Sequence, residues 1–300
     1  MSKGWNGRPP AGRIAYVDGR YVPHGRAGVH VEDRGLQLGD AVYEVFGVSG
    51  GQLMDESEHL DRLERSLREI EIALPMRRAA LQLVLRELVR RNAVKDGLLY
   101  LQISRGVARR DHPIPKVAPR PGLILTVRSV PPDEFEKRRR DGVTVITRLD
   151  ERWGRRDIKT VQLLPNLLAK TAARRAGAYE AWLVDQEGLV TEGSSTNAWI
   201  VDGQGNLRTR PLSTAILPGV TRRVILEAAA EAQLPVVEVP FSPGEIRTAR
   251  EAFISSATGV MPVTQVDGRP VGEGKPGPVT RRVQELYALT SAGRAAKSGT

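Results

Sequence analysis

The sequence of 300 residues contains no cysteine. This absence excludes disulfide bonds, thiolate nucleophiles and cysteine-ligated zinc, and it fits a reducing compartment. Long apolar runs are also missing, because none approaches the roughly 18 residues that a membrane-spanning helix needs. Residues 1–12 are polar and rich in proline and glycine, without the apolar core or cleavage site of a secretory signal. We therefore expect a cytoplasmic protein that is neither exported nor inserted into a membrane.

Aromatic residues are scarce, at 5%, although the net charge is +10. Proteins that bind single-stranded nucleic acid combine basic grooves with aromatic residues on which bases stack. The densest basic run here, residues 137–140, has only Phe135 nearby, and elsewhere acidic and basic residues are interleaved, as in residues 61–65. This pattern is typical of solvated helix faces. We expect no nucleic-acid partner, and a nucleic-acid-binding protein on an enzyme fold stays open as the alternative from another functional class.

The length is sufficient for two compact domains, each with its own core. At 40% hydrophobic and 27% charged residues, the composition is that of an ordinary globular protein. Pro131 and Pro132 mark the best boundary, because consecutive prolines favour extended backbone. The sequence predicts an N-terminal domain over residues 1–130 and a larger C-terminal domain over residues 131–300, with residues 291–300 as a flexible tail.

Local patterns predict alternating strands and helices. Asp18 and Gly19 separate two short apolar runs and indicate a hairpin with a tight primed turn. Apolar residues spaced by three and four from Ser57 to Leu74 predict a helix that Pro75 ends. The remaining predicted strands are residues 98–104, 123–127, 143–146, 181–184, 198–201, 236–239, 253–256 and 263–266, and the remaining helices are residues 81–89, 165–176, 221–232 and a last one after Pro278.

Two segments carry the chemistry: Arg-Asp-Ile-Lys at residues 156–159 and Thr-Glu-Gly-Ser-Ser-Thr-Asn at residues 191–197. The amine of Lys159 and the carboxylate of Glu192 are the two groups that a protein supplies to hold pyridoxal phosphate, one as a Schiff base and one against the ring nitrogen. Either residue alone is uninformative. By itself, Lys159 is a surface lysine and Glu192 a carboxylate that caps a turn.

Six ordered blocks give these two segments their context. They are residues 32–45, 58–63, 157–159, 179–181, 191–197 and 216–222. With these blocks the chain resembles the fold-type IV pyridoxal-phosphate enzymes, and within them the D-amino-acid aminotransferase group. The resemblance covers about residues 16–289 and implies an α/β (α+β) fold of two domains, a smaller N-terminal α/β domain and a larger C-terminal domain, with the cofactor in the cleft between them.

The resemblance implies a role for each cofactor-binding residue. Lys159 forms the Schiff base and moves the proton between the substrate α-carbon and the cofactor, and Glu192 keeps the ring nitrogen protonated. Arg62 matches a phosphate-binding arginine, although its spacing alone indicates an exposed helix position. The amides of Val220 and Thr221 lie before a helix and fit the same phosphate, as they would fit a plain helix cap. The other implied cofactor contacts are Leu217, Thr258, Ser194 and Ser195. We expect the hydroxyls of the two serines to donate hydrogen bonds around the cofactor and Glu192.

The substrate site rests on residues 105–112. Arg110 and His112 resemble the Arg-x-His pair that binds the substrate α-carboxylate in D-amino-acid aminotransferases, reaching in from the second subunit. Tyr43 resembles the tyrosine that completes this site, and it counts among the catalytic residues. Packing of Tyr43 in a strand and solvation of an arginine-rich loop are the simpler explanations of these residues. The resemblance implies a homodimer with shared active sites.

The three histidines outside this loop, His24, His30 and His59, have no metal-ligand spacing, so we expect no metal and assign them no chemistry. The sequence predicts a transaminase that exchanges the amino group between a D-amino acid and a 2-oxo acid. A branched-chain L-amino-acid aminotransferase, an R-selective amine transaminase and an aminodeoxychorismate lyase share the Lys159–Glu192 pair and stay open as alternatives.

Overall fold

A computed structural model describes residues 12–298. It divides the chain into two units, one of Met1–Val130 with Lys159–Gln162 and one of Pro131–Ile158 with Leu163–Thr300. The assignment of Lys159–Gln162 to the first unit differs from the prediction, which put these residues in the C-terminal domain. The expectation about an export signal concerns residues 1–11, which lie outside the described part of the chain.

The first unit is built on an antiparallel sheet. Its strands are β1 (Ile14–Val17), β2 (Arg20–Pro23), β3 (Ala41–Ser49), β4 (Gln52–Leu53), β5 (Gly97–Ser104) and β6 (Gly122–Ser129). The order across the sheet is β2-β1-β6-β5-β3-β4. The predicted hairpin is confirmed, because Asp18 and Gly19 have φ angles of 47° and 99°, the positive values that a primed turn requires.

Three helices belong to this unit: α1 (Arg34–Leu38), α2 (Glu56–Glu69) and α3 (Arg78–Arg91), with a 3-10 turn at His24–Arg26. The predicted end of α2 at Pro75 is wrong. The helix ends at Glu69 because Glu71 takes a left-handed φ of 55° and the amide of Ile72 turns back to the carbonyl of Leu67 at 3.0 Å. This closure satisfies the last carbonyls before the proline is reached.

The second unit contains a mixed sheet. Its strands are β7 (Val143–Leu149), β8 (Glu180–Val184), β9 (Val190–Gly193), β10 (Asn197–Val201), β11 (Leu207–Thr209), β12 (Val236–Glu238), β13 (Glu251–Ser256), β14 (Gly259–Val266) and β15 (Arg269–Pro270). The order is β12-β11-β10-β13-β14-β7-β8-β9, and β15 pairs with β14. β7 runs parallel to both β14 and β8, whereas the pairs β8–β9, β10–β13 and β13–β14 are antiparallel.

The helices of the second unit are α4 (Pro132–Asp141), α5 (Leu164–Arg175), α6 (Val220–Glu231), α7 (Pro243–Ile246) and α8 (Pro278–Ser298). The predicted flexible tail is wrong as far as Ser298, because α8 continues through it. Ser291 is fully buried, and the residues that follow include alanine, arginine and lysine, which are good helix formers. Over residues 12–298, no helix combines the length and apolar character that crossing a membrane demands.

The packing of α3 against the sheet predicts the effect of two leucine substitutions. Leu85 is 0% exposed and Leu83 is 68% exposed on the same helix. Leu85→Ala removes a buried side chain and leaves a cavity, so it should lower the free energy of unfolding by about 2–5 kcal/mol. Leu83→Ala is the matched control and should change it by less than about 0.5 kcal/mol. Urea unfolding followed by circular dichroism measures both, and equal effects would contradict this packing.

Candidate active site

Lys159 is fixed by main-chain pairing with β3 of the first unit. The amide of Tyr43 donates to the carbonyl of Lys159 at 3.0 Å, and the amide of Val161 donates to the carbonyl of Ala41 at 3.2 Å. Thr160 and Val42 form the bridge between the two segments. Lys159 therefore has a defined register relative to β3, as a residue of a neighbouring strand would have.

The side chains of Lys159 and Tyr43 meet. Nζ of Lys159 lies 4.3 Å from the centre of the Tyr43 ring, a cation–π distance. Tyr43 stacks in turn on Tyr100, with ring centres 5.7 Å apart. Burial, together with the neighbouring Tyr43, raises the pKa of Tyr100 to about 12. The structure thus brings together two of the residues predicted to be catalytic and adds Tyr100, whose ring stacks on that of Tyr43.

Glu192 lies on β9 in the second unit, buried among hydrogen-bond donors. Its Oε1 accepts from Nη1 of Arg152 at 2.5 Å, and its Oε2 accepts from Nδ2 of Asn197 at 3.0 Å. The amide of Leu217 donates to both oxygens, at 3.1 and 3.2 Å. The three donors make four contacts, which fill the roughly four acceptor positions of a carboxylate, because the Leu217 amide is shared between both oxygens. A further N–H donor would replace one of the two shared contacts.

Burial is the largest influence on Glu192 and raises its pKa, while Arg152 opposes that effect and Asp150 adds to it. Asp150 also anchors Arg152, which donates from Nη2 to Asp150 Oδ2 at 2.8 Å. Arg152 and Asp150 could not be predicted from the sequence, because nothing in their spacing relates them to Glu192, some 40 residues later. A raised pKa makes the Glu192 carboxylate a more basic acceptor for an N–H donor.

A group of hydroxyls lies beside the first residue of α6. Oγ1 of Thr221 donates to the carbonyl of Ser256 at 2.8 Å, and the hydroxyls of Ser256 and Thr258 are 2.8 Å apart. α6 begins at Val220, within one residue of the prediction, so the amides of Val220 and Thr221 belong to its first turn, where the helix dipole is positive. Thr221 and Thr258 are thus brought together, with Ser256 as an addition.

We expected Ser194 and Ser195 to donate to Glu192, but neither hydroxyl does so. Both hydroxyls donate to Glu180 instead, Ser194 to Oε1 and Ser195 to Oε2, the latter at 2.7 Å. Glu180 is fully buried and also pairs with Lys170 at 3.1 Å. The reason is the antiparallel pairing of β8 and β9, which sets the end of β9 beside the first residues of β8.

Arg62 is buried on the inner face of α2 and not on an exposed one. Its Nε donates to Oε1 of Glu44 at 2.8 Å and its Nη2 to Oε2 at 2.7 Å. His59, one turn earlier on the same helix, places Nδ1 2.7 Å from Oε2 of Glu44. The chemistry of His59, assigned none from the sequence, is thus to pair with a buried carboxylate. Its spacing to Arg62 was the available signal.

The loop that carries Arg110 and His112 follows β5, and both side chains are exposed. Its main chain is held from the first unit, since Arg34 donates to the carbonyls of Asp111 at 2.7 Å and His112 at 3.3 Å. Among the described residues of the first unit, no hydrogen bond joins Arg110 or His112 to Tyr43. Over residues 12–298, no cluster of histidine, aspartate and glutamate is suited to hold a metal ion.

Comparison with known proteins decides the family. The model of amino-transferase class IV matches residues 41–266, most of the chain. The chain belongs to the class IV aminotransferases. It is 42% identical over 270 residues to a D-alanine aminotransferase of Bacillus licheniformis, covering 89% of this chain and 93% of that protein. It is 38% identical to a D-alanine aminotransferase of Staphylococcus aureus strain MSSA476, covering 91% and 95%.

Solved structures support the same family. The T.th. branched-chain amino acid aminotransferase with pyridoxamine 5'-phosphate superposes with a TM-score of 0.85 at 26% identity, over 96% of this chain and 97% of that one. The Escherichia coli branched-chain enzyme gives 0.84 at 26% identity, over 94% and 95%. The predicted mixed α/β fold of fold-type IV and the predicted pyridoxal-phosphate-dependent aminotransferase are both confirmed.

The residues of this class IV aminotransferase fit pyridoxal phosphate. Glu192 is a buried carboxylate, and a ring N–H could take the place of one of the two contacts that the Leu217 amide shares between its oxygens. Gly219, just before α6, lies so close to Asn197 that a Cβ would come within 2.0 Å of Oδ1, so the main chain can pass there only as glycine. The amides at the start of α6 and the hydroxyl of Thr258 are donors of the kind that a phosphate requires, whereas the Thr221 hydroxyl already donates to Ser256.

The charged cluster on α2 predicts a pH dependence of stability. Burial raises the pKa of Glu44, but Arg62 and His59 outweigh burial and lower it from 4.5 to about 2. A depressed pKa stabilises the folded state above the unfolded pKa, and this contribution, roughly 3 kcal/mol, is lost as the pH falls from about 4.5 to 2. Glu44→Gln should be less stable at pH 7, and its deficit relative to wild type should shrink over that interval.

Urea midpoints at pH 7, 5, 4 and 3 measure this deficit. Glu187→Gln, which changes an exposed carboxylate, controls for the loss of one negative charge. A deficit that is constant across the series would contradict the assignment of Glu44 as a charged, arginine-bound carboxylate.

Proposed function

We propose that this aminotransferase exchanges the amino group between a D-amino acid and a 2-oxo acid, with pyridoxal phosphate carried on Lys159. The observation that carries the proposal is the identity of 42% and 38% to D-alanine aminotransferases over about nine-tenths of the chain. The branched-chain enzymes that share the fold are 26% identical, so they support the fold more than the substrate.

The cofactor-binding residues of this proposal are those that the resemblance implies. Glu192 would pair with the ring nitrogen, and Leu217 would pack on the ring. Arg62, whose Nε and Nη2 donate to Glu44, remains a proposed phosphate ligand. The remaining phosphate donors are Val220, Thr221 and Thr258. Ser194 and Ser195 remain cofactor-binding proposals, although their hydroxyls donate to Glu180.

Pyridoxal phosphate supplies an aldehyde that condenses with an amine and a ring that accepts the electron pair of the substrate α-carbon. Lys159 would hold the aldehyde, and its Nζ would be the group that moves the proton released from the substrate α-carbon. The Tyr43 ring, 4.3 Å away, restricts where Nζ can lie. Glu192 would keep a proton on the ring nitrogen, which its burial and raised pKa suit.

Arg110 and His112 bind the substrate carboxylate, together with Tyr43. An arginine fork matches a carboxylate, which makes it the group of choice for recognising an α-amino acid. We propose that the enzyme is a homodimer in which each subunit lends this loop to the other. The cytoplasmic location and the absence of a nucleic-acid partner, both expected from composition, stay predictions.

The donor separates this function from its alternatives. With 2-oxoglutarate as acceptor, D-alanine should be turned over faster than L-leucine and faster than 1-phenylethylamine. L-leucine as the best donor would favour the branched-chain alternative, and the amine would favour an R-selective amine transaminase. Pyruvate released from aminodeoxychorismate without an acceptor would favour the lyase.

Arg110→Gln tests the proposed carboxylate site. Losing a charged hydrogen bond to the substrate should lower kcat/KM for D-alanine by about ten- to a hundredfold. Arg109→Gln is the matched control, because it removes the same charge from the adjacent exposed position, and it should stay within about twofold. Steady-state kinetics measures both, and equal losses would show that only the charge of the loop matters.

A further inference from the structure

Asp40 in the first unit is bound by two buried arginines. Nε of Arg34 lies 2.8 Å from Oδ2 of Asp40, and Nε and Nη2 of Arg105 lie 2.7 and 3.0 Å from Oδ2 and Oδ1. Burial raises the pKa of Asp40, but the two arginines outweigh burial and hold the pKa below its usual value. A carboxylate that stays charged can orient both guanidinium groups.

Arg105 fixes the start of the loop that carries Arg110 and His112. Its Nη1 and Nη2 donate to the carbonyls of Glu71 and Ile70, where α2 ends, at 2.9 and 2.6 Å. The loop then turns at Gly106, whose φ is 99° and where a Cβ would come within 2.0 Å of the carbonyl of Arg120. The first residues of the loop are therefore held in place by these contacts.

Arg34 fixes the end of the same loop. Its amide donates to the carbonyl of Gly106 at 3.0 Å, its Nη1 to the carbonyl of Asp111 at 2.7 Å and its Nη2 to that of His112 at 3.3 Å. The side chains from Arg109 to His112 are exposed. For the last two residues of this span, the described contacts to the rest of the unit run through the Arg34 guanidinium.

We propose that Arg34, oriented by Asp40, is a positioning residue that sets the main chain of residues 111–112 and so aims Arg110 and His112 at the substrate carboxylate. This inference rests on the proposed function of the loop. In this proposal Arg34 does not contact the substrate, and it acts through the carbonyls of Asp111 and His112. A small displacement of a binding group costs affinity for the carboxylate and leaves the chemistry at Lys159 intact.

Hydrogen exchange tests the structural half independently of activity. In Arg34→Met, Asp40 keeps both bonds to Arg105, and the amides of residues 107–112 should exchange about tenfold or more faster than in wild type. Arg90→Met, which replaces an arginine whose side chain is 74% exposed, is the control and should leave this loop unchanged. If Arg34→Met does not fold, Arg34→Lys, which keeps the charge but not the fork, takes its place. Unchanged exchange would overturn the proposal.

Kinetics tests the functional half. Arg34→Met should raise KM for D-alanine by about ten- to a hundredfold and leave kcat within about threefold. In Arg34→Met combined with Arg110→Gln, the two effects should be less than multiplicative, because both act on one carboxylate contact. Faster exchange with an unchanged KM would overturn the positioning role. A normal KM in Arg110→Gln alone would instead reject the carboxylate site of the proposed function, which separates the two failures.

Discussion

The position of the Lys159 amine depends on the main-chain pairing of Lys159–Gln162 with β3. The carbonyl of Lys159 and the amide of Val161 are both engaged by that strand. Thr160 and Val161 are β-branched and favour the extended backbone that such pairing needs. Because side chains alternate along extended chain, the register of these bonds decides that the lysine side chain meets Tyr43. A shift by one residue would turn the amine to the other face.

Two buried carboxylates, Glu44 and Glu192, are the second constraint, and both are bound by arginine. Glu44 receives two bonds from Arg62 and one contact from His59, and its pKa falls. Glu192 receives one bond from Arg152 and lies near the negative Asp150, and its pKa rises. Removing water from a charge is costly, so the balance of nearby charges and donors decides the direction in each case. Glu192, with the raised pKa, is the carboxylate proposed to pair with the ring nitrogen. Glu44, with the lowered pKa, stabilises the folded state.

Much of the fold follows from local sequence signals. The Asp18-Gly19 turn, the apolar stripe of α3 and the start of α6 at Val220 are specified by residues within one or two turns of each other. The end of α2 is different, because the left-handed Glu71 and the return of the Ile72 amide are no part of an apolar periodicity. The helical course of α8 through Ser291 depends on burial, which composition does not reveal.

In the candidate site, too, some features follow from local sequence and others depend on residues far apart in the chain. Lys159 and Glu192 were predicted because of their sequence context. Arg152 with Glu192, Arg34 with the carbonyl of Asp111 and Ser194 with Glu180 are pairs whose partners are 40, 77 and 14 residues apart. Such pairs arise from strand order and loop course, so no spacing rule could have found them. The expected bonds from Ser194 and Ser195 to Glu192 were wrong for this reason.

The central claim is that one amine, that of Lys159, carries the cofactor. Reduction of the purified protein with borohydride converts a Schiff base into a stable secondary amine, and proteolysis with mass spectrometry then locates it. The account predicts a phosphopyridoxyl group on the peptide that contains Lys159 and unmodified peptides for Lys170 and the other lysines. A phosphopyridoxyl group on another lysine, with Lys159 unmodified, would contradict it.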